Sequence, residues 1–179
     1  TLFRSEESMN EIYLTNETSG ISPAEVEKCM DELLAQYPGL KKVLIIPPDF
    51  TRCYSYAGEL TQVLYKKLSP SAIVHVMPAL GTHMAMDAEE KEKMFGGVIP
   101  EEAFLVHHWQ TDTISIGKVP REVIEEISGG LYSTDIEVEV NEKLIHGGYD
   151  LILSIGQVVP HEVVGMANYS KNIFVGVGG

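Results

Sequence analysis

The chain has 179 residues, a formal net charge of −13 and a hydrophobic fraction of 44%. This length suits a domain with a substantial buried core, and the acidic excess argues against a nucleic-acid-binding surface because phosphates would be repelled. No apolar run approaches the roughly 20 residues that cross a bilayer, and no signal-peptide pattern is present. We therefore expect a cytoplasmic protein whose partner is a small molecule or another protein.

Helices and strands alternate along the sequence. The predicted elements, in chain order, are a helix at 23–37, a strand at 43–46, a helix at 57–68, a strand at 72–77, a helix at 87–95, short strands at 104–107 and 113–119, a helix at 120–127, and strands at 134–140, 151–155 and 173–177. Ser22 and Glu25 predict a capping box for the first helix. Its apolar residues predict a buried stripe, formed by Val26, Met30, Leu33 and Leu34. The acidic residues before this helix are expected to be solvated: Glu6, Glu7, Glu11 and Glu17.

Three of the predicted strands, at 43–46, 72–77 and 151–155, are continuous apolar runs. Such runs are typical of a parallel sheet that is buried on both faces. The first two strands are joined by a helix, which predicts a βαβ unit with a right-handed crossover. We therefore predict a single α/β domain over residues 1–179, Rossmann-like, with an open, mostly parallel sheet and helices on both faces.

Reactive polar residues follow each of these three strands. Asp49 and Arg52 follow the first, His83 follows the second, and His161 follows the third, with Lys171 ten residues later. Open α/β sheets keep their binding sites at the carboxyl ends of the strands, so we expect the histidines and the arginine to share a cleft. Two histidines can exchange acid and base roles near neutral pH, and an arginine can grip a carboxylate at two points.

Other interpretations of these residues stay open at this point. Arg52 could form an ion pair with Asp49 alone. Asp49, His83 and His161 could be scattered zinc ligands of a metal-dependent hydrolase. The chain could also be a non-catalytic domain that binds an organic anion through Arg52. No GxGxxG or GxxxxGK[ST] motif indicates a nucleotide site. Three serines are candidate nucleophiles without a GxSxG motif: Ser55, Ser154 and Ser170.

Three short motifs together resemble the N-terminal domain of the nickel-dependent lactate racemase family, a group of 2-hydroxyacid racemases and epimerases. The motifs are Asp49-Phe50-Thr51-Arg52, then Gly81-Thr82-His83 followed by Met86, and Pro160-His161 with Lys171 ten residues later. The resemblance runs from about Lys41 to the end of the chain. The order and spacing of the motifs are more specific than any one of them.

The resemblance implies a role for each of these residues. Family members carry a nickel-pincer nucleotide derived from nicotinic acid, attached as a thioamide to a lysine that matches Lys171. This cofactor accepts a hydride from C2 of the substrate, while two histidines that match His83 and His161 exchange the hydroxyl proton. The arginine that matches Arg52 helps to hold the substrate anion, and Asp49 is expected to orient that arginine or a histidine. The implied activity is racemisation or epimerisation at C2 of a small, lactate-like 2-hydroxy acid.

The chain departs from the family pattern around the cofactor lysine. The usual Ser-Gly-Gly-Ala-Lys stretch is Ala167-Asn168-Tyr169-Ser170-Lys171 here, and Tyr169 is expected to crowd or reshape the approach, so that the cofactor or the substrate could differ. The family's nickel-binding histidine lies beyond the cofactor lysine, and no histidine follows His161 here. We therefore expect the protein ligand of nickel beyond Gly179, in a longer two-domain protein whose C-terminal domain completes the substrate pocket. The chain on its own is expected to be inactive and poor at retaining nickel.

Overall fold

A computed structural model of the chain describes residues 11–16 and 18–179. The chain forms two compact units, Thr1–Gly39 and Leu40–Gly179. Of the four acidic residues predicted to be solvated, Glu11 is exposed, and the other three lie outside the described residues.

The described part of the first unit contains one helix, α1 (Pro23–Leu34). It begins as predicted, because the Ser22 side chain accepts a hydrogen bond from the NH of Glu25 and the Glu25 carboxylate accepts one from the NH of Ser22. The helix ends at Leu34 rather than at Tyr37. Its predicted stripe is only half-buried, since a unit of this length cannot enclose a core of its own.

Three parallel strands form the main sheet of the second unit. The central strand is β1 (Lys42–Ile46), with β2 (Ile73–Val76) on one side and β5 (Leu151–Ser154) on the other. Helix α2 (Ala57–Leu68) connects β1 to β2, so the predicted βαβ unit is present. The predicted α/β class, a parallel sheet flanked by helices, is confirmed.

The core lies on both faces of β1, whose residues 43–46 are completely buried. One cluster of buried residues includes Leu44, Ile46 and Met77. Helix α2 also packs closely against α3 (Ala88–Phe95). This close approach requires a glycine at position 58, because a Cβ atom there would lie 2.1 Å from the carbonyl oxygen of Met94. The apolar sequence of β1 therefore accounts for its central place, as in other sheets covered on both faces.

The remaining predicted elements form a smaller antiparallel arrangement. Strand β3 (Thr113–Val119) pairs with β4 (Ile136–Asn141), and helix α4 (Arg121–Ser128) lies between them in sequence. Three short elements have no counterpart in the prediction: α5 (Glu142–His146), β6 (Pro160–His161) and β7 (Gly165–Met166). Strands β6 and β7 form a small antiparallel hairpin that carries His161.

Two of the predicted strands are wrong. Residues 104–107 contribute a single bridge, between Phe104 and Val76, and then leave the sheet. Residues 173–177 fall mostly within a π-helical turn, Asn172–Gly176. Both segments are short apolar runs, and periodicity alone cannot distinguish a strand from another buried conformation over so few residues. Leu105 and Ile173 nevertheless pack against the core cluster.

No helix in the described part of the chain is long and apolar enough to cross a membrane.

His107 joins Gly178 to the end of β4. Its Nε2–H donates to the carbonyl oxygen of Gly178 over 3.0 Å, and its Nδ1 accepts a hydrogen bond from Nδ2 of Asn141 over 2.9 Å. The Asn141 amide is fixed in this orientation because its Oδ1 accepts from the NH of Lys143. Burial lowers the pKa of His107. Protonation of its Nδ1 would place an N–H group directly opposite the Nδ2–H of Asn141, and this hydrogen bond would be lost.

We predict that acid weakens the folded state through this histidine. The pKa of His107 is lower in the folded than in the unfolded chain, so the unfolded state binds more protons as the pH falls through the ordinary histidine range. The free energy of unfolding should therefore decrease from pH 7.5 to pH 5.5 in urea titrations. His107→Gln should lower it by about 1–3 kcal/mol at pH 7.5 and should flatten its pH dependence. The exposed His146→Gln is the control, and an equal slope in the two variants would contradict the argument.

Candidate active site

Asp49 and His83 form the closest contact of the candidate site. Asp49 follows β1, is 7% exposed, and begins the short 3₁₀ turn Phe50–Arg52. One carboxylate oxygen, Oδ1, accepts hydrogen bonds from the NH and the hydroxyl of Thr51, and the other lies 2.5 Å from Nδ1 of His83. An ionised carboxylate only accepts hydrogen bonds, so Nδ1 of His83 carries the proton and Nε2 has a free lone pair.

Arg52 is exposed at the end of the same turn. Asp49 is engaged by Thr51 and His83, and within the described residues no ion pair joins its carboxylate to Arg52. Of the two side chains that Asp49 is expected to orient, the histidine is the one that it contacts in the structure. The guanidinium remains able to bind an external anion.

His161 lies on the β6–β7 hairpin, and its imidazole is 17% exposed. Its Nδ1 accepts hydrogen bonds from the backbone NH groups of Val163 and Val164, over 3.1 and 3.4 Å. These two donors favour the tautomer of the neutral ring that carries its proton on Nε2. The carboxylate of Glu162, in the same turn, lies 3.8 Å from the same Nδ1, and the pKa of Glu162 is lowered by a hydrogen bond from its own backbone and then by its neighbours His161, Arg52 and Lys171.

The approach to Lys171 contains two residues with left-handed backbone, Asn168 (φ 59°) and Tyr169 (φ 50°). Glycine is the residue that usually adopts this conformation. Asn168 compensates with its side chain, which donates to the carbonyl of Gly156 over 2.8 Å and accepts from Asn172 and Ser154. The Tyr169 side chain is 69% exposed, and the effect expected of it on the cofactor or the substrate stays a prediction.

All five residues singled out from the sequence line one cleft of about 490 Å³ at the carboxyl ends of the parallel strands: Asp49, Arg52, His83, His161 and Lys171. The turn that carries His83 is joined to the π-helical turn after Lys171, because the NH of Gly81 donates to the carbonyl of Gly176 over 2.8 Å. Close approach at this point needs Gly176, since a Cβ there would lie 2.6 Å from Cβ of Ala79. Segments far apart in sequence thus form one continuous wall.

The zinc site considered from the sequence is not formed. Within the described residues, no three His, Cys, Asp or Glu side chains are placed to hold a metal ion together. Asp49 is already bound to His83, and Nδ1 of His161 is directed at its own turn, so these three side chains do not converge.

A second cavity, of about 360 Å³, lies apart from these residues. Two of its polar groups have partners inside the protein: Lys42 donates to the carbonyl of Gly147, and Nδ1 of His75 lies 2.8 Å from the hydroxyl of Tyr149. Burial and the neighbouring charges of Lys42 and Lys143 lower the pKa of His75. His75 is therefore held by a hydrogen bond inside the protein.

The sequence did not predict the contacts of three residues in the candidate site: Ser55, Asn168 and Asn172. Ser55 was considered only as a nucleophile, yet its Oγ is buried beside Arg52 and Lys171 without a hydrogen-bond partner in the described part of the chain. Asn168 and Asn172 are spaced as neighbours on a helical turn, which was the one available signal of their contact.

The fold and the cleft define an α/β domain whose strand ends present titratable side chains to one cavity. The sequence matches the model of the lactate racemase N-terminal domain over residues 23–179, so the chain belongs to this family. No curated protein matches the sequence.

Two solved structures are similar to this one. A Thermotoga maritima protein from a structural genomics consortium has a TM-score of 0.77 and 24% sequence identity, over 92% of this chain and 40% of its own, which supports the fold alone. The lactate racemase apoprotein from Thermoanaerobacterium thermosaccharolyticum has a TM-score of 0.60 and 25% identity, over 81% of this chain and 32% of its own. The chain thus spans less than half the length of either protein.

We predict unequal effects of truncating the two left-handed residues. Asn168→Ala removes the hydrogen bonds to Gly156, Asn172 and Ser154 while the backbone keeps its left-handed φ, so the free energy of unfolding should fall by about 1–3 kcal/mol. Tyr169→Ala is the matched control, with a similar φ and an exposed side chain, and should change it by less than about 0.5 kcal/mol. Urea titration measures both, and equal losses would show that the side-chain network does not hold this turn.

Proposed function

We propose that the chain is the N-terminal part of a longer, two-domain racemase or epimerase that acts at C2 of a small, lactate-like 2-hydroxy acid in the cytoplasm. The observation that carries the proposal is the shared cleft of His83, His161, Arg52, Asp49 and Lys171. Its family membership and the likeness to a lactate racemase apoprotein give independent support. The partner that completes the cleft is the C-terminal domain of the same protein.

Arg52 binds the substrate, and the two histidines transfer its hydroxyl proton. The exposed guanidinium of Arg52 binds the carboxylate in a two-point contact and fixes the position of C2. His83 and His161, at the ends of two different strand connections, hold and move the hydroxyl proton. Asp49 orients His83 through Nδ1.

The residues around Lys171 fit a nickel-pincer nucleotide derived from nicotinic acid. Lys171 is half-buried in the cleft, and the nearby Ser55 hydroxyl is a buried polar atom without a partner in the described residues. A cavity of this size accommodates a ligand of a few hundred Å³. Lys171 would hold the group through a thioamide, Ser55 would contact its polar atoms, and a protein ligand of nickel would come from beyond Gly179. When bound, this group supplies reversible hydride acceptance.

The direct test is peptide-resolved mass spectrometry of Lys171 in the complete protein, expressed with a host pathway that makes the pincer cofactor. We expect a thioamide-linked adduct on Lys171 and exchange between the two configurations at C2 of a 2-hydroxy acid. His83→Ala and His161→Ala should each abolish the exchange while the adduct remains, because the residues that hold and move the hydroxyl proton are lost. His108→Ala is the matched control, since that imidazole is exposed and lies outside the cleft. A bare lysine, or exchange that survives in both cleft variants, contradicts the proposal.

A second candidate function is favoured by one observation, the absence of an ion pair between Asp49 and Arg52 in the described part of the chain. A cleft with a free guanidinium can bind an organic anion without turning it over. Calorimetry with hydroxy and keto acids distinguishes the two functions. Binding that survives Lys171→Ala, in a protein without exchange at C2, would favour the binding domain.

A further inference from the structure

The second cavity, of about 360 Å³, lies at the other end of the parallel strands from the cleft. Lys42 begins β1 and Tyr149 comes shortly before β5, so the cavity lies near the amino ends of these strands. Two lysines and two histidines line it: Lys42, Lys143, His75 and His146. The chain has only 13 Lys and Arg residues against 26 Asp and Glu residues, so this cluster makes the cavity locally basic in a protein that is acidic elsewhere.

The ammonium group of Lys42 is held in place at the wall of this cavity. Its Nζ donates to the carbonyl of Gly147 over 2.6 Å and lies 4.8 Å from the centre of the Tyr149 ring. An ammonium group has three N–H donors, and the carbonyl uses one of them. Because Lys42 is half-buried and already held, its charge has a fixed position before any ligand binds, which reduces the entropic cost of binding.

The carboxylates near these lysines do not neutralise the cavity. Glu142 lines it, but its carboxylate is 3.9 Å from Nζ of Lys143 and both side chains are largely in solvent, where such a pair is weak. The Asp150 carboxylate accepts hydrogen bonds from the backbone NH groups of Lys41 and Lys42, and within the described residues no carboxylate pairs with the Lys42 ammonium. The positive charge therefore remains available to a ligand.

His75 can carry a second proton without losing its partner. Its Nδ1 lies 2.8 Å from the Tyr149 hydroxyl, and a phenol can donate to a neutral ring or accept from a protonated one. Burial lowers the pKa of His75, and the charges of Lys42 and Lys143 lower it further. An anion between these groups would offset the two lysine charges and raise the pKa of His75, and the protonated ring would in turn attract the anion.

We propose that this cavity binds a phosphate group through Lys42, Lys143 and His75, either as free phosphate or as part of a small phosphate ester. Lysine binds phosphate as a point charge, whereas arginine is the residue suited to a two-point contact with a carboxylate, and no arginine of the described residues lines this cavity. Leu105 and the Tyr149 ring provide apolar surface for the rest of an ester. The cavity is separate from the cleft, so this site does not depend on the proposed function.

The first test locates phosphate by NMR of the histidine rings in this chain. Inorganic phosphate is added at constant ionic strength, and His75→Gln, His83→Gln and His161→Gln assign the signals. We expect the His75 signals to change saturably, with a Kd of about 1 mM or below, and the pKa of His75 to rise. His83 and His161 report binding in the cleft. No saturable change at His75, or a change confined to His83 and His161, overturns the proposal.

The second test removes one charge of the cavity. Lys143→Met should raise the Kd for inorganic phosphate by about 10-fold or more, because a charge-assisted hydrogen bond is lost. Lys66→Met is the matched control, since it also removes one positive charge from the last turn of a helix, at an exposed position outside the cavity. Its Kd should change by less than about 2-fold, because distant exposed charges are screened. Equal changes in the two variants would mean that net charge alone governs binding, and would overturn the site.

Two further probes identify the chemistry of the ligand. Glycerol 1-phosphate that binds about 10-fold more tightly than inorganic phosphate assigns the cavity to a phosphate ester, because the apolar wall then contributes to binding. Equal affinities assign it to the phosphate group alone. Acetate is the comparison for a carboxylate, and acetate that changes the His75 signals with the same Kd as phosphate overturns the assignment.

Discussion

The complete burial of residues 43–46 of β1 is the constraint on which the candidate site depends. A stretch that is covered on both faces carries apolar side chains, so the polar residues of this segment lie at its two ends, Lys42 before it and Asp49 after it. Asp49 comes three residues after Ile46 and is the first ionisable side chain beyond it. Parallel pairing then brings the ends of β2 and β5 to the same edge. His83 and His161, which follow Asp49 by 34 and 112 positions, therefore line the same cleft as Asp49.

The partners of Asp49 determine how His83 and Arg52 are arranged at this edge of the sheet. A carboxylate that is 7% exposed requires partners, because its desolvation is costly otherwise. Thr51 satisfies one oxygen and His83 the other, so the aspartate is compensated without Arg52. The guanidinium is thereby left to the solvent side of the cleft. The same interaction that satisfies a buried charge thus gives His83 its orientation and leaves a cation for an external anion.

The sequence predicted the framework better than the details of the cleft. The strands beginning at Lys42, Ile73 and Leu151 and the helix between the first two were predictable because their apolar patterns end at clear proline or glycine stop signals. The segment 173–177 was not predictable, because four apolar residues and a glycine are equally compatible with a strand and with a buried turn. The pairing of Asp49 with His83 was one of two expectations. The backbone donors to His161 had no sequence signal at all, since every residue has an NH group.

The turn before Lys171 illustrates how a departure from a family pattern can preserve a backbone. The resemblance predicts glycines at this place, and the structure has a left-handed backbone at Asn168 and Tyr169, which glycine would adopt at little cost. Asparagine is among the residues that tolerate this conformation, and here its amide also binds Gly156, Asn172 and Ser154. The tyrosine has no such compensation and lies mostly in solvent. The hydrogen bonds of Asn168 therefore offset the backbone strain at Asn168 and Tyr169. The departure from the glycine-rich family sequence is thus compatible with the left-handed backbone that leads to Lys171.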